Sequence, residues 1–149
     1  MKNLLINLKN ELINLQKASE VLEYSYEKCK KYDLLKGLNN EELESFDALT
    51  GRFARLSDII IQKIFRLLNT LDLEDTGTVR DRINRAEKKN IIHSADEFIE
   101  IRILKNEISH EYQSSTIYSI FEKVLKYTPI LINSVESVID YSKRNYDIP

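Results

Sequence analysis

Ile59-Ile-Ile-Gln-Lys-Ile64-Phe-Arg-Leu-Leu-Asn-Thr-Leu71 is the stretch on which the fold turns. Set on a 3.6-residue helix, Ile59, Ile60, Ile61, Ile64, Phe65, Leu67, Leu68 and Leu71 cover most of the circumference. A helix apolar nearly all round is either central, or has one face in the core and another in an oligomer interface. Upstream, Asn39 followed by Glu42 has the form of a capping box, opening this helix near residue 40 and carrying it to about residue 73. Three glycines and two prolines in 149 residues favour long helices around it over a turn-rich β structure.

Working outward, Leu5, Leu8, Leu12, Leu15, Leu22, Tyr26 and Cys29, with Ser19 in the missing step, alternate three- and four-residue intervals. They predict a first helix over residues 3–31, with Gly37 stopping it or lying in the following turn. Residues 73–77 read as a loop. Thr78 with Asp81 caps a short third helix to about Lys89, whose exposed face carries Arg80, Arg82, Arg85, Lys88 and Lys89. Ser94 with Glu97 repeats the capping signature and starts a fourth helix. A last pattern begins near Ser115, with Ile117, Ile120, Phe121, Val124, Leu131, Val135 and Val138 on its apolar stripe. Pro129 falls inside it, so either Thr128 caps a new helix or the helix kinks there. The expectation is one all-α domain over residues 1–149, an antiparallel bundle of about five helices.

Hydrophobic residues at 42% and charged residues at 31% suit a globular chain with a real core. A net charge of −2 gives no global attraction to nucleic acid, so any RNA contact needs a local basic patch. One cysteine, Cys29, excludes an internal disulfide and a cysteine zinc cluster; its place on the first stripe marks it as a buried structural thiol. No apolar run approaches membrane-spanning length and the first residues do not form a signal peptide, so a cytoplasmic chain with no membrane partner is expected.

Chemistry concentrates in Lys105-Asn-Glu-Ile-Ser-His110-Glu-Tyr112, polar and titratable inside an apolar helical pattern. On the helix that bears it, Asn106 and His110 are four apart and share a face, with Arg102 one turn earlier. Lys105 lies about 140° round from His110 and nearly under Tyr112. One copy spreads these groups; two copies about a twofold axis would gather them in one cleft, which argues for a homodimer. An imidazole can move protons near neutral pH, a cation can hold a phosphodiester, and Asn106 can orient either. That suits RNA cleavage by the substrate's own 2′-hydroxyl. No histidine–carboxylate set has metal-ligand spacing, and neither metal nor cofactor is expected. The plain alternative is a solvated polar helix face.

This segment resembles the Arg-x4-His-x-Tyr motif of HEPN domains, all-helical proteins that include the ribonuclease toxins paired with MNT-type nucleotidyltransferase antitoxins. The flanks Phe-Asp-Ala-Leu-Thr-Gly-Arg-Phe-Ala-Arg-Leu-Ser-Asp (46–58) and Asp-Arg-Ile-Asn-Arg-Ala-Glu (81–87) carry the resemblance over most of the chain. It implies a homodimeric endoribonuclease leaving 2′,3′-cyclic phosphate ends, with His110 catalytic, Lys105 at the arginine position and Asn106 beside it. Tyr112 would be the acceptor for AMP from a partner nucleotidyltransferase.

The chain departs from the motif where Lys105 replaces arginine. Lysine keeps the charge but offers a point contact instead of a two-oxygen fork. Two outcomes follow: a weakened enzyme, or an inactive helical module that docks a nucleotidyltransferase. Arg102 is a less well-spaced substitute. Arg52, Arg55 and Asp58, three apart on the second helix, form either a polar seam supporting the cluster or an ordinary surface ion-pair series. The basic face of the third helix either tracks an RNA backbone or is simply solvated, and His93 is expected to be an exposed loop residue.

Overall fold

The computed structural model describes residues 1–74, 76–110 and 116–149, and they form an all-α bundle. Helix α1 (Lys2–Cys29) buries Leu8, Leu12, Leu15, Ala18, Ser19, Leu22, Ser25 and Cys29, the stripe its spacing predicts. A 3-10 turn at Leu34–Lys36 follows. Asp33 caps it by accepting the Leu35 N–H, and Gly37 closes it at φ +78, a left-handed angle that suits glycine. Gly37 therefore belongs to the turn and does not end α1.

Helix α2 (Asn40–Asp58) opens with the expected capping box, the Asn39 side chain and Glu42 each receiving the other's backbone N–H. It runs without a break through a π-helical segment, Ile59–Ile64, into α3 (Phe65–Leu71). The three segments make one rod over residues 40–71, so the bundle has five rods. The π segment departs from the uniform α-helix that the sequence suggests. A wider turn rotates the residues beyond it relative to those before, and Ile59, Ile60, Ile61 and Ile64 are all buried. The rod touches every other helix: α2 packs on α1, α5 and α6, while the π segment and α3 reach α1 and α4. Of the two readings of the all-apolar stretch, the central one holds.

Helix α4 (Val79–Lys88) has the predicted capping box of Thr78 and Asp81. Helix α5 (Ala95–Ser109) is capped by Ser94, whose hydroxyl accepts the Glu97 N–H at 3.2 Å; Glu87 accepts the Ala95 N–H at 2.7 Å, tying α4 to the start of α5. Helix α6 (Ile117–Asn145) is continuous through Pro129, so Thr128 does not start a new helix. Fully buried, Thr128 donates its hydroxyl to the Val124 carbonyl at 2.6 Å, a local bond beside the one the proline cannot make. The rings of Phe46 and Phe121 stack with centroids 4.5 Å apart, locking the central rod to α6. Among the described residues no helix is long and apolar enough to cross a membrane.

One polar node ties three rods together. Asp72, just past α3, takes Lys89 Nζ at 2.6 Å, the Tyr141 hydroxyl at 2.7 Å and the Tyr146 hydroxyl. Burial, then the bond to Asp72, pushes the Tyr141 phenol well above its ordinary range.

Candidate functional site

Helix α5 presents the cluster because Ala95, Phe98, Ile101 and Leu104 bury one face. Arg102, Lys105 and Asn106 are left on the half-exposed flanks. The three do not point to one place. Lys105 reaches across to α2, its Nζ 3.2 Å from Asp58 Oδ1, with the lysine side chain 22% exposed and the aspartate 40%. The only lysine of the motif thus already has a carboxylate beside it.

His110 requires a correction. Helix α5 ends at Ser109, and His110 is its C-cap in extended backbone, φ −84 and ψ 153, with its N–H donated to the Asn106 carbonyl at 3.1 Å. Asn106 and His110 are therefore linked through the backbone, and His110 leaves the helical row on which their side chains would have been neighbours. The last turn of α5 contains no basic residue of its own and does contain Glu107, whose carboxylate lies 3.6 Å from Lys123 Nζ on α6. His110 is exposed. Tyr112 lies outside the described residues.

The supporting residues divide. Arg52 donates Nη1 to the Ser25 hydroxyl at 2.7 Å and the Val21 carbonyl at 3.1 Å, both on α1. Exposed Arg55 lines the same shallow groove against α1. Only Asp58 turns to α5. A three-residue step falls about 60° short of a full turn, so six residues swing the row by roughly 120°. Arg52, Arg55 and Asp58 are not one seam.

The basic face of α4 divides as well. Arg85 is committed to Glu74, giving Nη1 to its carbonyl at 2.7 Å with Nε 3.6 Å from its carboxylate. Lys89 is committed to Asp72 and to Glu74, the latter at 3.2 Å. Arg80 and Lys88 are exposed and Arg82 is half-buried. His93 is exposed, as expected. Cys29 is fully buried, and burial pushes its thiol up to about 11, with Lys28 pulling weakly the other way.

Two features escape the sequence reading. The Lys105–Asp58 pair joins residues 47 positions apart, which no local pattern reveals. Arg66 on α3, which no motif includes, joins Arg82 and Arg102 in one electrostatic neighbourhood. Among the described residues no group of three or more His, Cys, Asp or Glu side chains is placed to hold a metal ion. No family model and no curated protein matches the chain. What the geometry offers chemically is an exposed imidazole at the end of a helix, an amide one turn back, and cations on either flank.

Proposed function

We propose that this protein is a HEPN-type, toxin-like endoribonuclease that cleaves RNA without a metal ion. His110 carries the proton transfer, Lys105 and Asn106 hold the phosphate, and the working cleft forms between two copies of the chain. The observation that carries the reading is His110 itself. It is the motif's histidine, exposed at the end of α5 and bonded through its N–H to the carbonyl of Asn106. A ring in that position can meet a substrate and its symmetry mate without unfolding anything. The nucleotidyltransferase partner and the modification of Tyr112 belong to the same reading and rest on the resemblance alone.

The test is incubation of the purified protein with RNA in chelator. Wild type should yield fragments with 2′,3′-cyclic phosphate ends, and His110→Ala should lose about a hundredfold or more in rate. Equal cleavage by both removes His110 from the chemistry.

A second reading is favoured by the Lys105–Asp58 pair: a helical module without activity that docks a nucleotidyltransferase. A lysine already paired contributes less charge to a phosphodiester than a free one. Lys105→Arg separates the two. Restored or increased cleavage supports the nuclease; no cleavage, with a nucleotidyltransferase still bound at unchanged affinity, supports the docking module.

A further inference from the structure

A cavity of about 560 Å³ opens at the start of α5, between the turn that joins α4 to α5 and the middle of α6. Ile92, Phe98 and Ile130 supply its apolar lining, and His93, Glu97 and Asn133 much of its polar lining. The protein fixes these walls itself. The Ile91 and Ile92 N–H groups both donate to the Ala86 carbonyl, at 2.9 and 3.4 Å, which folds the turn back on α4. The Ser137 hydroxyl donates to the Asn90 carbonyl at 3.3 Å and ties the turn to α6. Asn90 holds a left-handed conformation at φ +58, which asparagine tolerates better than most residues. A ligand therefore meets a preformed hollow, of the size that small organic molecules occupy.

The polar groups in it are left without partners. Helices α2, α4 and α5 each start with a side-chain cap and an acidic residue three positions on. At α2 and α4 that carboxylate returns to the cap: Glu42 accepts the Asn39 N–H at 3.0 Å and Asp81 the Thr78 N–H at 2.8 Å. At α5 only half of the exchange is made. Ser94 accepts the Glu97 N–H at 3.2 Å, while the Glu97 carboxylate, the Asn133 amide and the His93 ring have no partner among the described residues.

The charge of the hollow selects its ligand. No lysine or arginine lines it, and Lys89 at the head of the turn is held by Asp72 and Glu74. The helix start does not invite an anion either, because the Ala95 and Glu97 N–H groups are already bonded to Glu87 and Ser94. What is offered is a half-buried carboxylate, oxygen acceptors beside it and an apolar surface. That set complements a primary ammonium group on an apolar body, three N–H donors meeting acceptors and one charge meeting its opposite.

We propose that this cavity binds a small organic amine, a monocation whose ammonium sits against Glu97 and whose hydrocarbon part covers Ile92, Phe98 and Ile130. The site goes beyond the nuclease reading and needs neither His110 nor Lys105. Glu97 stands roughly 18 Å along the axis of α5 from Ser109.

Three probes of similar shape separate charge from apolar burial: phenethylamine, phenethyl alcohol and phenylacetate. Each is titrated into the isotope-labelled full chain and followed by backbone amide chemical shifts. The amine should shift His93, Glu97, Phe98 and Asn133 saturably, with a Kd of about 1 mM or tighter. The alcohol should bind about five to ten times more weakly, and phenylacetate more weakly than the alcohol. Glu97→Gln keeps the N–H that caps α5 and should bring the amine down to the level of the alcohol. Glu100→Gln, an exposed position on the next turn and outside the cavity, should bind as wild type. Asn133→Asp, which adds a second carboxylate, should tighten the amine about threefold. Absence of a saturable shift with the amine overturns the proposal. So does equal binding of the alcohol or of phenylacetate, or an amine affinity indifferent to Glu97→Gln. The two readings fail separately: cleavage of RNA that depends on His110 survives any of these results, and a chain that binds the amine through Glu97 yet cleaves no RNA loses only the nuclease assignment.

Discussion

At the scale of single residues, Lys105 decides more than any other. Its ammonium sits 3.2 Å from Asp58, but the aspartate is 40% exposed, so water screens much of the attraction and the pair contributes little to stability. Lys105→Ala should therefore lower unfolding free energy by less than about 1 kcal/mol in urea titration. If Lys105 holds the phosphate, the same change should lower RNA cleavage by about a hundredfold. A large stability loss with unchanged cleavage would make the residue a brace between α2 and α5. Asp58→Asn, which leaves the cation unpaired, should raise RNA affinity. Cys29 gives an independent check on burial. With its thiol pushed up to about 11, the neutral form dominates in the folded chain, so its stabilising contribution is intact below the ordinary thiol range and lost as pH rises toward that value. Iodoacetamide at pH 8 should leave native protein unlabelled and label it in urea; rapid native labelling would contradict the packing of α1.

Among the helices, the junction at Asp72 is the place where a single change reaches three rods. Asp72→Ala would leave the Tyr141 and Tyr146 hydroxyls without their acceptor and Lys89 with Glu74 alone. The expected loss is on the order of 2–3 kcal/mol, read as a lower urea midpoint; a change under about 0.5 kcal/mol would mean the node is incidental. Nothing in the local sequence announces this junction, because the partners of Asp72 lie 17 to 74 positions from it. What is local was legible. The caps at Asn39, Thr78 and Ser94 and the stripe of α1 follow from side-chain chemistry within four residues. The π segment was not, because Ile59, Ile60 and Ile61 are consecutive and apolar, and an unbroken apolar run carries no phase from which a widened turn can be read. The early end of α5 was hidden for a related reason: no glycine or proline marks Ser109. For the same reason the candidate site was legible as residue types and not as geometry. The motif names His110 and Lys105, but only the packing of α5 on α2 shows Lys105 turned toward Asp58.

For the molecule as a whole, the question is why one chain should not suffice. Lys105 is drawn to α2, while His110 stands beyond the last residue of α5 in extended backbone. Within one chain the cation and the imidazole leave the helix in different ways, and on the proposed nuclease reading the net charge of −2 supplies no general field to hold RNA between them. The twofold arrangement proposed above would remove the difficulty: with the lysine of one copy facing the histidine of the other, an isologous contact would build two such pairs at once. This has a consequence that a self-contained site does not share. Lys105→Ala and His110→Ala should each keep about a hundredth of wild-type cleavage or less alone. Mixed and allowed to exchange subunits, they should regain up to about a quarter of wild-type cleavage, since half the dimers are mixed and each holds one intact pair. Light scattering on the same samples should give twice the chain mass. Dimers that exchange freely yet recover no cleavage would place the whole site within one chain, and a monomer that cleaves RNA would remove the shared cleft altogether.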